Sequence, residues 1–214
     1  MSKLNSVIIE NFIYTNDNAM SEEMCKESIN FTNKNLDFIK EIQEKSKLSK
    51  GEMFPPERPN VDYGITTKTD FNYFWAPYSI SSPPTPLVKM VMKIIMVGLK
   101  EYVAKYPAMA KCVPKGISFQ DIKYHVVKSG EGYHAWHSEW STQYPNDKRI
   151  LVWHIALTSH ENEGELEFLY HEERIPAVAG RLVIWPAFWP WIHRGNAIRT
   201  DTEKHYLTGW FHAD

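Results

Sequence analysis

Apolar and polar positions change rhythm twice along this chain. From residue 20 to 47, a Glu- and Lys-rich stretch sets Met24, Ser28 and Phe31 on one stripe, with Cys25 and Ile29 beside it. That spacing predicts a helix entered through Ser21, whose hydroxyl can cap free N–H groups, and then a second helical stretch holding Leu36, Ile39 and Ile42. Residues 49–86 lose all long periodicity. "FPPERPNVDYG" and "SSPPTP" read as loops, because proline removes a backbone donor and restricts its predecessor, and "GITTKTDFNYFW" between them has room for one or two short strands. Apolar residues then recur at 87, 91, 94, 95, 99, 102 and 103, which predicts a helix of more than four turns.

Beyond Pro114 the rhythm shortens. "ISFQDIKYHVV", "RILVWHIALT", "ELEFLY", "RLVIWP" and "HYLTGWF" are rich in β-branched and aromatic residues and are bounded by Gly, Pro, Asn or Asp, the punctuation of a β-sandwich or barrel. The expected plan is one domain over residues 1–214, with 1–113 as helical support and loops and 114–214 as the β-core.

Charge and cysteine content narrow the function classes. The formal charge is -2, from 24 Lys+Arg against 26 Asp+Glu, which offers no field to gather nucleic acid or an anionic membrane. Cys25 and Cys112 stand far apart and outside any CxxC pattern, so neither a disulfide framework nor a thiolate zinc site is expected. No run approaches the roughly 20 apolar residues of a membrane span. These features predict a cytoplasmic protein with no nucleic-acid or membrane partner, and they leave the oligomeric state open.

All tryptophans but Trp75 lie from Trp136 onward, and "YHAWHSEW" at 133–140 packs two of them beside two histidines and a glutamate. Residues i and i+2 share a side of an extended strand, so His137 and Glu139 converge if this stretch is strand-like. A catalytic metal needs a third ligand. His193, in "PAFWPWIHRGN" just after an apolar strand, is the best placed. Two His and one carboxylate on one face of an octahedron leave three positions open, which suits ferrous iron with a chelating co-substrate and oxygen.

Over residues 119–212 the chain resembles the iron(II)- and 2-oxoglutarate-dependent oxygenases, and within them the prolyl 4-hydroxylase-like branch. "GYHAWHSE", "NEGELEFLY", "VAGRLVIWPAFWPWIHRGN" and "KHYLTGWF" carry the resemblance, and a phage-type "GYHxWHxE" subset is the nearest match. The family pattern of His-x-Asp/Glu, a distal His and then a basic residue falls on His137, Glu139, His193 and Lys204. It implies a double-stranded β-helix, or jelly roll, built like a cupin, with N-terminal helices. It implies Fe(II), 2-oxoglutarate and O2 as cofactor and co-substrates, and hydroxylation of an unactivated C–H bond, with a peptide, protein or small molecule as substrate. Glu139 stands where aspartate is usual, and "EGE" replaces the branch's common "GGE", putting Glu163 in a glycine's place.

The resemblance also implies roles around the metal. Lys204 would neutralise the distal carboxylate of 2-oxoglutarate, where an unpaired charge would be costly. Thr208 and Trp210 match a hydroxyl and an indole the family keeps near the site. Of Tyr124 and His125 only one can face the co-substrate, and Tyr124 is the expectation. Trp140 and Trp191, with Trp189, flank the ligands and are expected to line the substrate mouth, and Arg58 sits in a loop long enough to act as a lid. Trp136, Trp153 and Trp185 are assigned to packing, the glutamates of 161–167 to a solvated turn, and His125, His154, His160, His171, His205 and His212 to ordinary hydrogen-bonded or surface positions. His134 could pair with His137 only on a helix, which its glycine and aromatic flanks oppose. A non-catalytic cupin-like binding module and a zinc hydrolase are the competing readings. The first gives Lys204 no purpose, and the second needs a further general base.

Overall fold

In the computed structural model, the described residues are 11–49, 71–76, 85–119, 122–140 and 148–214, without the side chains of 36–49, 71–76 and 119. Arg58 and its loop lie outside the described residues. The elements run β1 (Tyr14–Asn16), α1 (Glu22–Ser49), β2 (Phe71–Ala76), α2 (Pro86–Lys105), α3 (Ala108–Cys112), β3 (Ile117–Phe119), β4 (Ile122–Val127), β5 (Arg149–Ala156), β6 (Leu166–Phe168), β7 (Glu173–Ile175), β8 (Leu182–Pro186), β9 (His193–Gly195) and β10 (Lys204–Ala213).

The caps of both long helices can be read from their sequence. Ser21 Oγ accepts from the Met24 N–H at 3.2 Å, and Glu22 and Glu23 follow in the first turn, where acidic side chains complement the helix dipole. Thr85 accepts from Val88 N–H, with Pro86 opening α2. Instead of two stretches, α1 is one helix. Asn35, in the "TNKN" run that resembles a break, turns its side-chain amide back onto the Phe31 carbonyl at 2.8 Å and stays within the helical backbone.

Two antiparallel sheets form the core. The larger has seven strands in the order β1-β8-β5-β10-β4-β2, with β3 pairing β10, and the smaller is β7-β6-β9. Together they make the double-stranded β-helix. Strands β5 and β8 at its centre are buried on both faces, for different reasons. One face meets the helices: Val91, Ile95 and Leu99 of α2 pack with Trp153, Ile155, Leu182, Ile184, Leu207 and Phe211. The other faces the small sheet, where Val152, Val183 and Trp185 meet Leu166, Phe168 and Ile175. Each such side chain contributes about 1.5–3 kcal/mol on burial.

Two glycines set close approaches. A Cβ on Gly98 would lie 2.3 Å from Leu182 Cδ2, so the bare backbone lets α2 settle on β8. Gly180, at φ +87°, would put a Cβ 2.1 Å from the Met20 carbonyl, at the point where the Met20 N–H donates to Gly180 O.

The glutamate run is not a solvated turn. Glu163 is buried and accepts from the Thr200 hydroxyl and from the N–H groups of Arg199 and Thr200. These bonds hold its carboxyl down to about 2. Glu167 pairs with both Arg174 and Arg194. Glu163 ties the turn before β6 to the loop at 199–200, and Glu167 ties β6 to its neighbours β7 and β9, jobs that composition alone does not reveal.

Candidate active site

His137, Glu139 and His193 converge between the sheets, with their ligating atoms within 4.8 Å of one another. The segment 131–140 is not a regular strand. It is held extended by a backbone bridge in which His137 N–H donates to His193 O at 3.1 Å and His193 N–H donates to His137 O at 2.9 Å. That bridge joins the segment of His137 and Glu139 to β9. Glu139 Oε1 lies 3.2 Å from His137 Nε2 and 3.6 Å from His193 Nε2.

The outer atoms of both imidazoles are committed. His137 Nδ1 lies 2.9 Å from Ala135 O and His193 Nδ1 lies 3.0 Å from Trp191 O. A carbonyl only accepts, so each Nδ1 carries a proton, and Nε2 is the atom each ring has left to offer a lone pair toward the carboxylate. Three electron-pair donors facing one point repel unless a cation lies between them, so the donor set fits a divalent metal. Burial pushes the Glu139 carboxyl up, but hydrogen bonds from the two imidazoles when they are protonated outweigh it and hold Glu139 well below the usual carboxylate range. Burial lowers His193 and favours the neutral ring a metal needs.

Glu139 Oε2 faces the other way. It accepts from Trp210 Nε1 at 2.9 Å and lies 3.6 Å from an Arg149 guanidinium nitrogen. The Trp210 indole lies between two cations, Lys123 Nζ at 4.1 Å and the Arg149 guanidinium at 4.8 Å from the ring centre.

Further along β10, Lys204 is 3% exposed and donates to Gly164 O at 2.6 Å. It lines a small interior cleft with His154, Ala156, Leu166 and Val183. The Thr208 hydroxyl donates to Trp153 O at 2.8 Å. Tyr124 is a correction. It is fully buried on the helix-facing side, paired across from Leu207, with its hydroxyl 2.7 Å from His205 Nδ1. Strand alternation therefore turns His125 inward, where it stacks on Tyr206 at 4.5 Å.

Trp140 is exposed beside Phe188, ring centres 5.9 Å apart. Trp191 donates to Asn11 O at 2.7 Å and stacks on His171, so its indole braces the N-terminal segment while its carbonyl orients His193. Trp153 and Trp185 are buried as expected. Trp136 is not: it is exposed, with the Arg194 guanidinium 4.3 Å over its ring. Sequence reasoning missed Arg149, Arg194 and His154. Only the parity of β5 against β10 could have singled out His154, since it stands opposite Thr208.

Residues 122–212 match the family model of the 2OG-Fe(II) oxygenase superfamily. That match spans less than half of the chain and, with the shared fold, supports an Fe(II)- and 2-oxoglutarate-dependent dioxygenase using O2. Its fold is shared with prolyl hydroxylases. A viral collagen prolyl hydroxylase from Paramecium bursaria Chlorella virus-1, solved with 2-oxoglutarate, superposes with TM-score 0.63 at 15% identity, over 95% of this chain and 96% of that one. A prolyl-4-hydroxylase from Pseudomonas putida gives TM-score 0.61 at 14% identity, over 95% of this chain and 94% of that one. A Trichoplax adhaerens prolyl hydroxylase, solved in complex with a peptide fragment of the hypoxia inducible factor oxygen degradation domain, gives TM-score 0.55 at 13% identity, over 95% of this chain and 84% of that one. No curated protein sequence matches the chain. Among the described residues, no helix is long and apolar enough to cross a membrane.

Proposed function

We propose that this dioxygenase hydroxylates a prolyl or other peptidyl residue, with the metal held by His137, Glu139 and His193 and the distal carboxylate of 2-oxoglutarate held at Lys204. The observation that carries the ligand assignment is the pair of Nδ1–carbonyl bonds, which leave two Nε2 lone pairs and one carboxylate oxygen aimed at a single point. Iron(II) bound there, with 2-oxoglutarate and O2, supplies the oxidising power to hydroxylate an unactivated C–H bond. The protein's own work is positional. Trp210 and Arg149 hold the outer oxygen of Glu139, so the longer side chain presents one oxygen where an aspartate would ordinarily reach.

The peptide reading is supported by the surface around the site and by the related structures. Tyr133, Trp136, Trp140, Tyr170 and Trp189 are all exposed, and the Tyr133 ring lies 4.4 Å from that of His137. Such flat, rigid faces suit the rings and extended backbone of a proline-containing peptide. In this reading the whole chain works as one unit, 1–113 supporting the core at 114–214, in a reducing cytoplasm where Cys25 and Cys112 stay free. A buried Lys204 disfavours a metal-only scaffold.

The test is spectroscopic. Anaerobic addition of Fe(II) and 2-oxoglutarate should give a weak visible charge-transfer band that His137→Ala and His193→Ala abolish, and proline-containing peptides should gain 16 Da in mass, one added oxygen. An intact protein with neither the band nor succinate production would exclude the assignment.

A further inference from the structure

His154 lies in the middle of β5, only 5% exposed, and neither of its ring nitrogens has a hydrogen-bond partner among the described residues. Buried polar atoms are normally paired, because leaving one unmade forfeits its solvation without return. Two on one ring point to a ligand. The ring borders the same interior cleft as Lys204. It is held in place by stacking on Tyr206, ring centres 4.6 Å apart and 26° from parallel, and Tyr206 stacks in turn on His125.

Burial, and then the nearby Lys204 charge, hold His154 well below its ordinary range, so its imidazole is neutral, with one N–H to give and one lone pair. Directly across the ladder stands Thr208. Its single hydroxyl proton goes to the Trp153 carbonyl, so it has none for an anion in the cleft.

We propose that His154 donates the second hydrogen bond to the distal carboxylate of 2-oxoglutarate, beside the Lys204 ammonium, and makes the cleft selective for keto acids that end in a carboxylate. This rests on the dioxygenase reading. It shifts the neutral donor from Thr208 to a histidine that the sequence left among ordinary structural groups. A neutral donor next to a cation binds the anion without adding a second buried charge.

The test compares two probes by calorimetry on the Mn(II)-loaded protein: 2-oxoglutarate, and 2-oxobutyrate, which has the same keto-acid end and no distal carboxylate. His154→Leu should weaken 2-oxoglutarate binding about 10- to 100-fold, the range for a hydrogen bond to a charged group, and leave 2-oxobutyrate binding unchanged. His154→Gln, which keeps an N–H donor, should recover most of the loss. Unchanged 2-oxoglutarate binding in His154→Leu overturns the proposal, and equal weakening of both probes overturns it in favour of a packing role. A wild-type protein that binds neither probe overturns the dioxygenase reading itself and the proposal with it.

Discussion

Trp210 Nε1 donates to the outer oxygen of Glu139 at 2.9 Å, and this bond joins the last strand of the chain to the irregular segment that carries the first two candidate ligands. Two cations flank the indole, so the donor that steers the carboxylate is itself clamped.

Trp210→Phe keeps an aromatic ring and removes the N–H. Partners that orient a metal ligand typically account for 10- to 100-fold in affinity, so the variant should bind Fe(II) or Mn(II) about tenfold more weakly in an equilibrium titration. Wild-type affinity would mean that Arg149 alone positions Glu139.

Lys204→Ala separates the two halves of the site. Co-substrate affinity should fall by about 100-fold, because a buried charge-assisted contact is lost, while metal affinity stays within about threefold. Parallel titrations of metal and 2-oxoglutarate decide it, and equal loss of both would assign Lys204 a structural role.

Glu163 predicts an acid limb of stability. Its folded pKa, about 2, lies below the ordinary glutamate value, so its contribution is complete above roughly pH 4.5 and is lost as pH falls toward 2. Urea denaturation between pH 5 and pH 2 should therefore show a shallower loss of stability in Glu163→Gln than in the wild type. Parallel curves would show that the bonds from Arg199 and Thr200 to Glu163 add nothing.

Gly180→Ala tests the seam between the N-terminal segment and the core. A Cβ at positive φ and 2.1 Å from a backbone oxygen cannot be absorbed by side-chain motion, so stability should drop by about 2 kcal/mol or more in chemical denaturation. A change below about 0.5 kcal/mol would show that the Met20 turn moves freely.

The hydrophobic rhythm makes α2 legible almost to its ends, 87–103 expected and Pro86–Lys105 observed, because one face alone is buried. The strands after Pro114 are legible for their β-branched and aromatic content, and His137, Glu139, His193 and Lys204 for their spacing. Parity was harder to read. On β4, Tyr124 and His125 are both buried, so no exposed side distinguishes the face toward the helices from the face toward the cleft, and the residue expected in the site is the one that faces away. Strand β1 has three residues and is specified by its ladder with β8 rather than by any local pattern. Glu163, Arg149 and His154 draw their significance from partners tens of residues distant, which spacing within one segment cannot encode.

Strand β10 carries Lys204, Tyr206, Thr208 and Trp210 at alternate positions, and Leu207 and Phe211 on the opposite face against the helices. Bonded to β4 and β5 on its two sides, it cannot slide without breaking both ladders. Removal of a single residue near its middle would transpose the two faces beyond that point, sending the indole toward α2 and an aliphatic side chain toward the carboxylate. The reading frame of this one strand thus keeps the catalytic and the greasy sides of the sheet from trading places, and length variation here should be far less tolerated than almost any substitution.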